Sequence, residues 1–232
     1  MSGLTVVVPA FDEAGNLSVV VEEVARVASA LPRWEVVIVD DASTDATPAE
    51  AAALAQRLPG VRWVRHPRNQ GSGGAILTGI AEARCELVMY VPADGQFHVP
   101  EIAEYVAAAE HADIVIGSRI ARSDYSWFRR LSSAVFIRLV DALFDQSFRD
   151  VNWVHLWRRE VFARVKPRSR GVFMLEEVLV RARRAGFSVT EIDSRYVPRR
   201  SGQAKGSNPR TILRTVWDMG RFWLDLRLGR VP

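Results

Sequence analysis

Residues 88–97 read VMYVPADGQF, an apolar strand that runs into an aspartate, a glycine and a glutamine. Asp94 and Gln96 offer hard oxygen ligands that suit Mg²⁺ or Mn²⁺, and Gly95 lets the backbone approach a ligand closely. The stretch therefore predicts a site for a metal-bound diphosphate at the end of a buried strand. Pro92 stands where many such sites have a second carboxylate, so we expect one acidic ligand here.

Around this stretch, short β-rich runs alternate with amphipathic ones, which is typical of a mainly parallel sheet covered by helices on both faces. We predict strands at 4–11, 35–41, 61–66, 87–93, 113–119 and 187–198. We predict helices at 14–31, 45–58, 73–84, 99–111, 127–145, 172–185 and 210–228. The fold class is therefore α/β.

Polar residues follow four of the predicted strands. They are Asp12 and Glu13, Asp40 and Asp41, Asp94 and Gln96, and Arg119. Ligands bind beyond the carboxyl ends of parallel strands, so we expect these residues to form one site. Neighbouring strand residues point to opposite faces, and only one of Asp40 and Asp41 is therefore expected to face a ligand.

A glycine-rich stretch, NQGSGGAILTGI, occupies residues 69–80. Its spacing matches neither the dinucleotide-binding G-x-G-x-x-G pattern nor the P-loop lysine pattern, which argues against oxidoreductase and NTPase functions. Gly71, Gly73 and Gly74 could serve ligand approach, or a tight turn with close helix packing.

Charge is divided unevenly between the two halves of the chain. Residues 1–118, the first half, carry 7 Lys and Arg against 16 Asp and Glu, whereas residues 119–232, the second half, carry 24 against 11. A basic half suits phosphates of a nucleotide, a lipid or a nucleic acid, although a solvated basic surface is the simpler alternative. Nucleic acid is not expected as a partner, because it does not account for the acidic sheet edge.

Composition sets further bounds on location. The single cysteine, Cys85, excludes an intramolecular disulfide, and the N-terminus MSGLTVVVPAF has neither a charged region nor a cleavage site of a signal peptide. With no run of 18 apolar residues, we expect a cytoplasmic protein that does not span a membrane.

Two late helices have unusually wide apolar faces. In 210–228, Arg214, Asp218, Arg221 and Asp225 form one narrow charged stripe, and large apolar residues cover most of the remaining circumference. Such a face is either buried in protein, including a homodimer, or laid into a membrane interface. We expect membrane contact through 127–145 and 210–230.

The motifs VVVPAFDE, EVVIVDDASTDAT, NQGSGGA, PADGQ and VIGSR, in this order, resemble the family 2 glycosyltransferases of GT-A fold. Within them the chain looks like dolichyl-phosphate mannosyltransferases and bacterial polyprenyl-phosphate sugar transferases. The likeness is dense over 4–120 and looser over 170–205. It implies a GT-A domain at 1–208, with a nucleotide-binding half (1–118) and an acceptor half (119–208), followed by an amphipathic helix at 209–232.

The resemblance also implies roles for individual residues. Base and ribose would contact Pro9, Ala10, Phe11, Glu13 and Asp41. Asp94 and Gln96 would hold the metal, and Asp94 also counts as catalytic. The reacting phosphates would meet Arg119, Arg130 or its neighbour Arg129, and the basic loop residues Arg200 and Lys205. RDVNWVHLWRRE (149–160) matches the family only partly, which leaves the role of Asp150 open.

The implied reaction is inverting transfer of a sugar from a GDP- or UDP-sugar to a polyprenyl or dolichyl phosphate, on the cytoplasmic face of the membrane. Mg²⁺ or Mn²⁺ would arrive with the donor. One alternative is a soluble enzyme with a hydroxyl acceptor, which needs a base such as Glu176 or Glu177. Another is a binding module for nucleotide sugars or lipids without catalysis.

Overall fold

A seven-stranded sheet forms the centre of this computed structural model, in the order β3-β2-β1-β4-β6-β5-β7. The residues described are 3–120, 127–198 and 209–230, with backbone alone at 127–135 and 209–210. The strands are β1 (Leu4–Ala10), β2 (Trp34–Asp40), β3 (Val61–Arg65), β4 (Leu87–Tyr90), β5 (Ile114–Arg119), β6 (His155–Arg158) and β7 (Val189–Ser194). All pairs are parallel except the two that β6 makes, so the predicted mainly parallel sheet is confirmed.

The strand β6 was not predicted. Its four residues, HLWR, are too few and too mixed in polarity to give a strand signal. It lies antiparallel between β4 and β5, with Trp157 opposite Val88 and Ile114. Because β6 runs against its neighbours, the residues just before it lie at the carboxyl ends of β4 and β5. That position brings residues 150–153 to the predicted site.

Helices cover both faces of the sheet. They are α1 (Leu17–Ala28), α2 (Thr47–Arg57), α3 (Ser72–Glu82), α4 (Ile102–Ala108, after a 3₁₀ turn at Val99–Glu101), α5 (Trp127–Phe144), α6 (Val161–Arg164), α7 (Met174–Arg184) and α8 (Pro209–Arg227). Alternate residues of β1 enter two separate cores, Val6 and Val8 beneath α1 and α2, and Val7 beneath α3 and α7.

A third, smaller core joins α8 to α5 and α7. It contains Val140, Phe144, Phe173, Val180, Met219 and Phe222. Within the described ranges, no helix has the length and apolarity needed to cross a bilayer. The division of the chain at residue 208 stays a prediction.

Candidate active site

The loops after β1 and β2 are tied together at the carboxyl edge of the sheet. Asp12 has a φ of 48° and accepts the Thr44 N–H through Oδ1 at 2.7 Å. The Glu13 N–H donates to Thr47 Oγ1 at 2.8 Å. The Glu13 carboxylate accepts a hydrogen bond from Asn16 Nδ2 at 3.0 Å. Pro9 and Ala10 end β1 and Phe11 and Glu13 follow directly, so the four predicted nucleotide-binding residues of this segment lie at one edge of the sheet.

Asp41 organises the glycine loop, residues 69–74. Its buried carboxylate accepts the N–H groups of Gln70 and Gly71, both at 2.8 Å, and lies 2.7 Å from His66 Nδ1. Asp40 accepts the Ser43 N–H at 2.9 Å. Both side chains therefore bond to their own chain, and the nucleotide contact of Asp41 stays a prediction.

The glycines of this loop permit close packing against the segment before α7. Gly71 has a φ of +88°, and a Cβ there would lie 2.9 Å from the Arg170 carbonyl oxygen. At Gly73 a Cβ would lie only 2.4 Å from the Gly171 carbonyl oxygen. The Gly74 N–H donates to the same Arg170 oxygen at 2.9 Å. Of the two roles considered for these glycines, the tight turn with close packing is the one observed.

The PADGQ stretch forms a turn braced by a residue from the far end of the chain. Gly95 has a φ of +73°, and the Gln96 N–H donates to Asp94 Oδ1 at 3.1 Å. Gln96 Nε2 donates to the Tyr196 hydroxyl, and the Val197 N–H donates to the Gln96 carbonyl at 2.8 Å. Because the amide nitrogen is engaged, Oε1 is the Gln96 atom suited to a cation.

The protein atoms at this turn can fill only a minority of the coordination sites of a divalent cation. Asp94 and Gln96 supply hard oxygen ligands. Within the parts of the chain that the structure describes, no group of three or more His, Cys, Asp or Glu side chains could hold a metal ion. A cation here would need most of its ligands from the diphosphate and from water.

Arg119, at the end of β5, forms a buried ion pair with Asp150. Its Nε lies 2.6 Å from Asp150 Oδ2 and its Nη2 lies 3.0 Å from Oδ1. The Arg119 side chain is 8% exposed and that of Asp150 3%. Nη2 also donates to the Asn152 carbonyl at 3.2 Å, and the guanidinium lies 4.8 Å from the centre of the Trp153 ring. This bidentate geometry fixes the orientation of the guanidinium.

The role of Asp150 was left open by the sequence, and its pairing with Arg119 was not predicted; residues 150–153 supply this partner. Trp153 Nε1 donates to Ser194 Oγ at 2.8 Å, and the Tyr90 hydroxyl donates to the Trp153 carbonyl. Asp150 lies 31 positions from Arg119. Only knowledge that β6 inserts between β4 and β5 would have paired them.

The two candidate bases for a hydroxyl acceptor are both inaccessible. Glu177 accepts the N–H groups of Arg168 at 3.0 Å and Ser169 at 2.8 Å, and pairs with Arg181 at 2.7 Å. Glu176 is fully buried, and burial raises its pKa to about 8. The charge of Asp150 raises that pKa further, whereas the Glu176 N–H and the Asn152 amide lower it. Neither carboxyl group reaches solvent, and so neither can touch an acceptor as placed here.

The predicted phosphate ligands other than Arg119 are not described at the level of side chains. Arg130 and its neighbour Arg129 belong to the backbone-only part of α5, and Arg200 and Lys205 lie outside the described residues. Their roles stay predictions.

A cleft of about 790 Å³ lies away from this site. It is lined by Arg33, Arg84, Arg158 and Arg159, which lie at the opposite edge of the sheet.

Known families and proteins are similar to this chain over most of its length. The family model described as Glycosyl transferase family 2 matches residues 5–167, from β1 through α6. An uncharacterized glycosyltransferase of Mycobacterium tuberculosis is 30% identical over 208 residues, which cover 88% of this chain and 89% of that protein.

Two relatives with named activities align over a smaller share of their own length. The dolichol-phosphate mannosyltransferase of Pyrococcus furiosus is 28% identical over 87% of this chain and 58% of that protein. The undecaprenyl-phosphate 4-deoxy-4-formamido-L-arabinose transferase of Serratia proteamaculans is 29% identical over 88% of this chain and 63% of that protein.

Solved structures share the fold at lower identity. Glucosyl-3-phosphoglycerate synthase from Mycobacterium tuberculosis, crystallised with Mn²⁺, uridine diphosphate and glucosyl-3-phosphoglycerate, gives a TM-score of 0.69 at 17% identity. That likeness covers 99% of this chain and 80% of the synthase. The GT-A fold predicted from the sequence is therefore confirmed.

Proposed function

Because this chain belongs to glycosyl transferase family 2, we propose that it moves a sugar from a GDP- or UDP-sugar to a polyprenyl phosphate at a membrane surface. The proposal has three parts, which are the lipid acceptor, the metal-bound donor and the anionic nucleophile. Each rests on a different group of described residues.

The orientation of α8 is the observation that carries the lipid acceptor. Its outer face exposes large apolar side chains, with Leu213 and Trp217 each 71% exposed. The members of this outer face are Ile212, Leu213, Val216, Trp217, Leu224 and Leu228. Met219 and Phe222, 6% and 4% exposed, dock the opposite side onto the third core.

The two carboxylates of the charged stripe of α8, Asp218 and Asp225, face the protein, whereas its arginines Arg214 and Arg221 are exposed. Asp225 is buried and accepts a hydrogen bond from Arg168 at 3.1 Å. Asp218 Oδ2 is also buried, and its nearest ion-pair contact is Arg214 Nε at 3.9 Å. A helix in water normally does the reverse. Carboxylates turned inward and Leu and Trp turned outward suit a helix that lies in a bilayer interface.

The start of α8 lies close to the carboxyl edge of the sheet, where the candidate site lies. Arg214 approaches the glycine loop, since a Cβ on Gly71 would lie 3.9 Å from Arg214 Nη1. Arg214 also lies over Gly171, because a Cβ on Gly171 would lie 3.7 Å from Arg214 Nε. A bilayer against the outer face would therefore begin beside the loops that border the site, where a lipid phosphate could enter.

The donor diphosphate is assigned to the turn at Asp94 and to Arg119. Asp94 and Gln96 would hold the cation by their oxygen atoms, and the nucleotide would supply most of its other ligands. A bound Mg²⁺ or Mn²⁺ would offset the negative charge that develops on the departing diphosphate. Arg119 is held rigid by Asp150, so little side-chain entropy is lost when it meets a phosphate.

An anionic acceptor removes the need for a base. A phosphate monoester has a second pKa near about 6, so it is already a nucleophile at neutral pH. This agrees with the burial of Glu176 and Glu177, the two bases considered for a hydroxyl acceptor. The chemistry then requires only that arginine side chains position the acceptor and the donor.

The test is incubation of the protein with labelled GDP- and UDP-sugars and a polyprenyl phosphate, followed by extraction of lipid-linked label. We expect product with at least one donor, and its loss with EDTA. Asp94→Asn should lower the rate about a hundredfold, whereas Glu110→Gln, an exposed carboxylate at the end of α4, should not change it. Absence of lipid-linked sugar from every donor would overturn the proposal.

A further inference from the structure

The cleft of about 790 Å³, at the edge of the sheet opposite the candidate site, has apolar walls. The walls come from α3 and from α6 with the residue that follows it. They are formed by Leu77, Ile80, Phe162 and Val165. Sites for small molecules have volumes of about 300–1,000 Å³ and combine such walls with a few polar groups. The cleft therefore has the size and the lining of a ligand site.

Positive charge predominates around these walls. Five cationic side chains line the cleft, against the two carboxylates of Glu86 and Glu160. The cations are Arg33, Arg84, Arg158, Arg159 and Lys166. Glu86 pairs with Arg158 at 2.7 Å. The other four cations are exposed and form no salt bridge with any described residue, so they are available to an anion that enters the cleft.

Backbone carbonyl groups restrict two of these cations. Arg159 Nη1 donates to the Ala83 carbonyl at 3.3 Å, and Lys166 Nζ donates to the Phe162 carbonyl at 2.5 Å. Arginine and lysine carry several N–H groups, so each side chain keeps donors for a ligand. Because the two side chains are already restricted, less conformational entropy is lost when they bind an anion.

One side of the cleft lies near the end of α8. Lys166 lines the cleft, and Arg168, two positions further on, pairs with Asp225 of α8 at 3.1 Å. Two residues of chain span at most about 7 Å. Leu224 and Leu228, 48% and 52% exposed, belong to the same end of α8. A bilayer against the outer face of α8 would therefore present its headgroups close to Lys166.

We propose that this cleft binds the phosphate group of an anionic amphiphile, with the phosphate at Arg84 and Arg159 and the apolar part against Leu77 and Phe162. Arg159 donates to the carbonyl of Ala83, which directly precedes Arg84, so the two arginines lie close together. Their planar guanidinium groups can each donate two parallel hydrogen bonds to a phosphate.

Both parts of the ligand follow from the lining of the cleft. An inorganic anion would leave the apolar walls uncovered, and an uncharged lipid would leave the cations without a counter-charge. A phospholipid of the bilayer and a free phosphorylated amphiphile share the required chemistry. Binding in the cleft does not depend on sugar transfer, and only the bilayer as a source rests on the proposed function.

The test is a calorimetric titration of the full chain with a short-chain phosphatidic acid below its critical micelle concentration. Inorganic phosphate lacks the apolar part, and the matching short-chain phosphatidylcholine lacks the net charge. The variants are Arg84→Gln and Arg159→Gln, at exposed arginines, and Leu77→Ser on the apolar wall. Arg26→Gln, at an exposed arginine of α1 outside the cleft, is the matched control.

We expect a single molecule of phosphatidic acid to bind, at least about tenfold tighter than either comparison ligand. Arg84→Gln and Arg159→Gln should each weaken its binding about tenfold, because a hydrogen bond between charged groups is lost. Leu77→Ser should weaken the binding of phosphatidic acid and leave that of inorganic phosphate unchanged. Arg26→Gln should bind as the wild type does.

Vesicles with and without phosphatidic acid identify the source of the ligand. Weaker flotation of Arg84→Gln with the phosphatidic acid vesicles alone would support the proposal with a bilayer lipid as the ligand. A loss confined to the short-chain lipid would support it with a free amphiphile as the ligand.

Three results would overturn the proposal. One is no binding of the short-chain phosphatidic acid at millimolar concentration. Another is an equal affinity for it in the wild type, Arg84→Gln and Arg159→Gln, which would place the lipid elsewhere. The third is an equal affinity for inorganic phosphate, since the apolar walls would then contribute nothing. No sugar donor is present in these titrations, so a failure to find any transferase product is distinguishable from a failure of this proposal.

Discussion

The two halves of the molecule treat polar and apolar groups in opposite ways. In the first half, α1 buries Val21 and Val24 beneath the sheet and exposes Glu22 and Arg26. In the second half, α8 buries Asp225 and exposes Trp217 and its apolar neighbours. Buried carboxyl groups show the same contrast, because Asp41 accepts several hydrogen bonds and Glu176 accepts none from the described residues.

The two halves differ in whether buried polar groups have partners and whether apolar side chains are covered. The first half satisfies most of the polar groups that it buries; the exceptions among the described residues are the Tyr105 hydroxyl and Asp40 Oδ2, and Asp40 Oδ2 still pairs with Arg65 at 3.1 Å. The second half leaves polar groups unsatisfied inside and apolar groups uncovered outside, and both are costly in water. We attribute the exposed apolar face of α8 to the proposed contact of this helix with a bilayer.

The largest expected effect is on the free energy of unfolding, when one aspartate is placed on the buried face of α1 and another on the outer face of α8. Val21→Asp puts a carboxylate into the core at a residue with 0% exposure, and should lower the free energy of unfolding by at least about 4 kcal/mol. Trp217→Asp, on the outer face of α8, should change it by less than about 0.5 kcal/mol. Urea titrations of both variants measure this, and equal losses would mean that Trp217 is covered by protein.

A smaller loss is expected at the satisfied carboxylate of the first half. Asp41→Asn leaves at least one of the donors from Gln70, Gly71 and His66 without an acceptor. It should cost about 3 kcal/mol of unfolding free energy and loosen the glycine loop. Unfolding and hydrogen exchange of Gly71 check this. An unchanged stability would show that the loop does not depend on Asp41.

Glu176, the carboxyl group without a hydrogen-bond partner among the described residues, should make the protein less stable when it ionises. Glu176 has a pKa raised from the ordinary 4.5 to about 8, so the folded state keeps a proton that the unfolded chain releases. Stability must then fall as pH rises from about 4.5 to about 8. Between pH 5.5 and 7, the wild type should lose about 2 kcal/mol relative to Glu176→Gln.

Urea titrations of both proteins at each pH give this difference directly. His155, whose pKa is lowered to about 3, contributes equally to both and cancels. Parallel stability curves for the two proteins would mean that Glu176 is ionised in the folded state.

The smallest effect concerns the outer face of α8. Trp217→Ser should weaken binding to anionic phospholipid vesicles about tenfold, or about 1.4 kcal/mol. The matched control is Val19→Ser, at an exposed apolar residue of α1, which should not affect binding. Flotation of both variants gives the answer, and a loss shared by the two would indicate nonspecific adsorption.

The first half was easier to predict because its signals are local. At VMYVPADGQF, and likewise after β1 and β2, each strand pattern lies within a few positions of the polar residues that follow it. The pairing of Arg119 with Asp150 spans 31 positions and depends on β6, which has no clear strand pattern.

Orientation was the other limit on prediction. Periodicity identifies α8 as amphipathic but does not say which face is docked, because that depends on Arg168 and Phe173 from other elements. The unpaired state of Glu176 is likewise invisible in sequence, where it and Glu177 appear equivalent.

The most direct measurement is transfer to lipid in vesicles. Protein, labelled GDP- and UDP-sugars and Mg²⁺ are mixed with vesicles that carry a polyprenyl phosphate, or with the same donors and a water-soluble hydroxyl acceptor. We predict lipid-linked sugar from one donor, reduced about tenfold in Trp217→Ser with vesicles and unchanged in Val19→Ser. Product on the soluble acceptor alone, with none on the lipid phosphate, would contradict the proposed function.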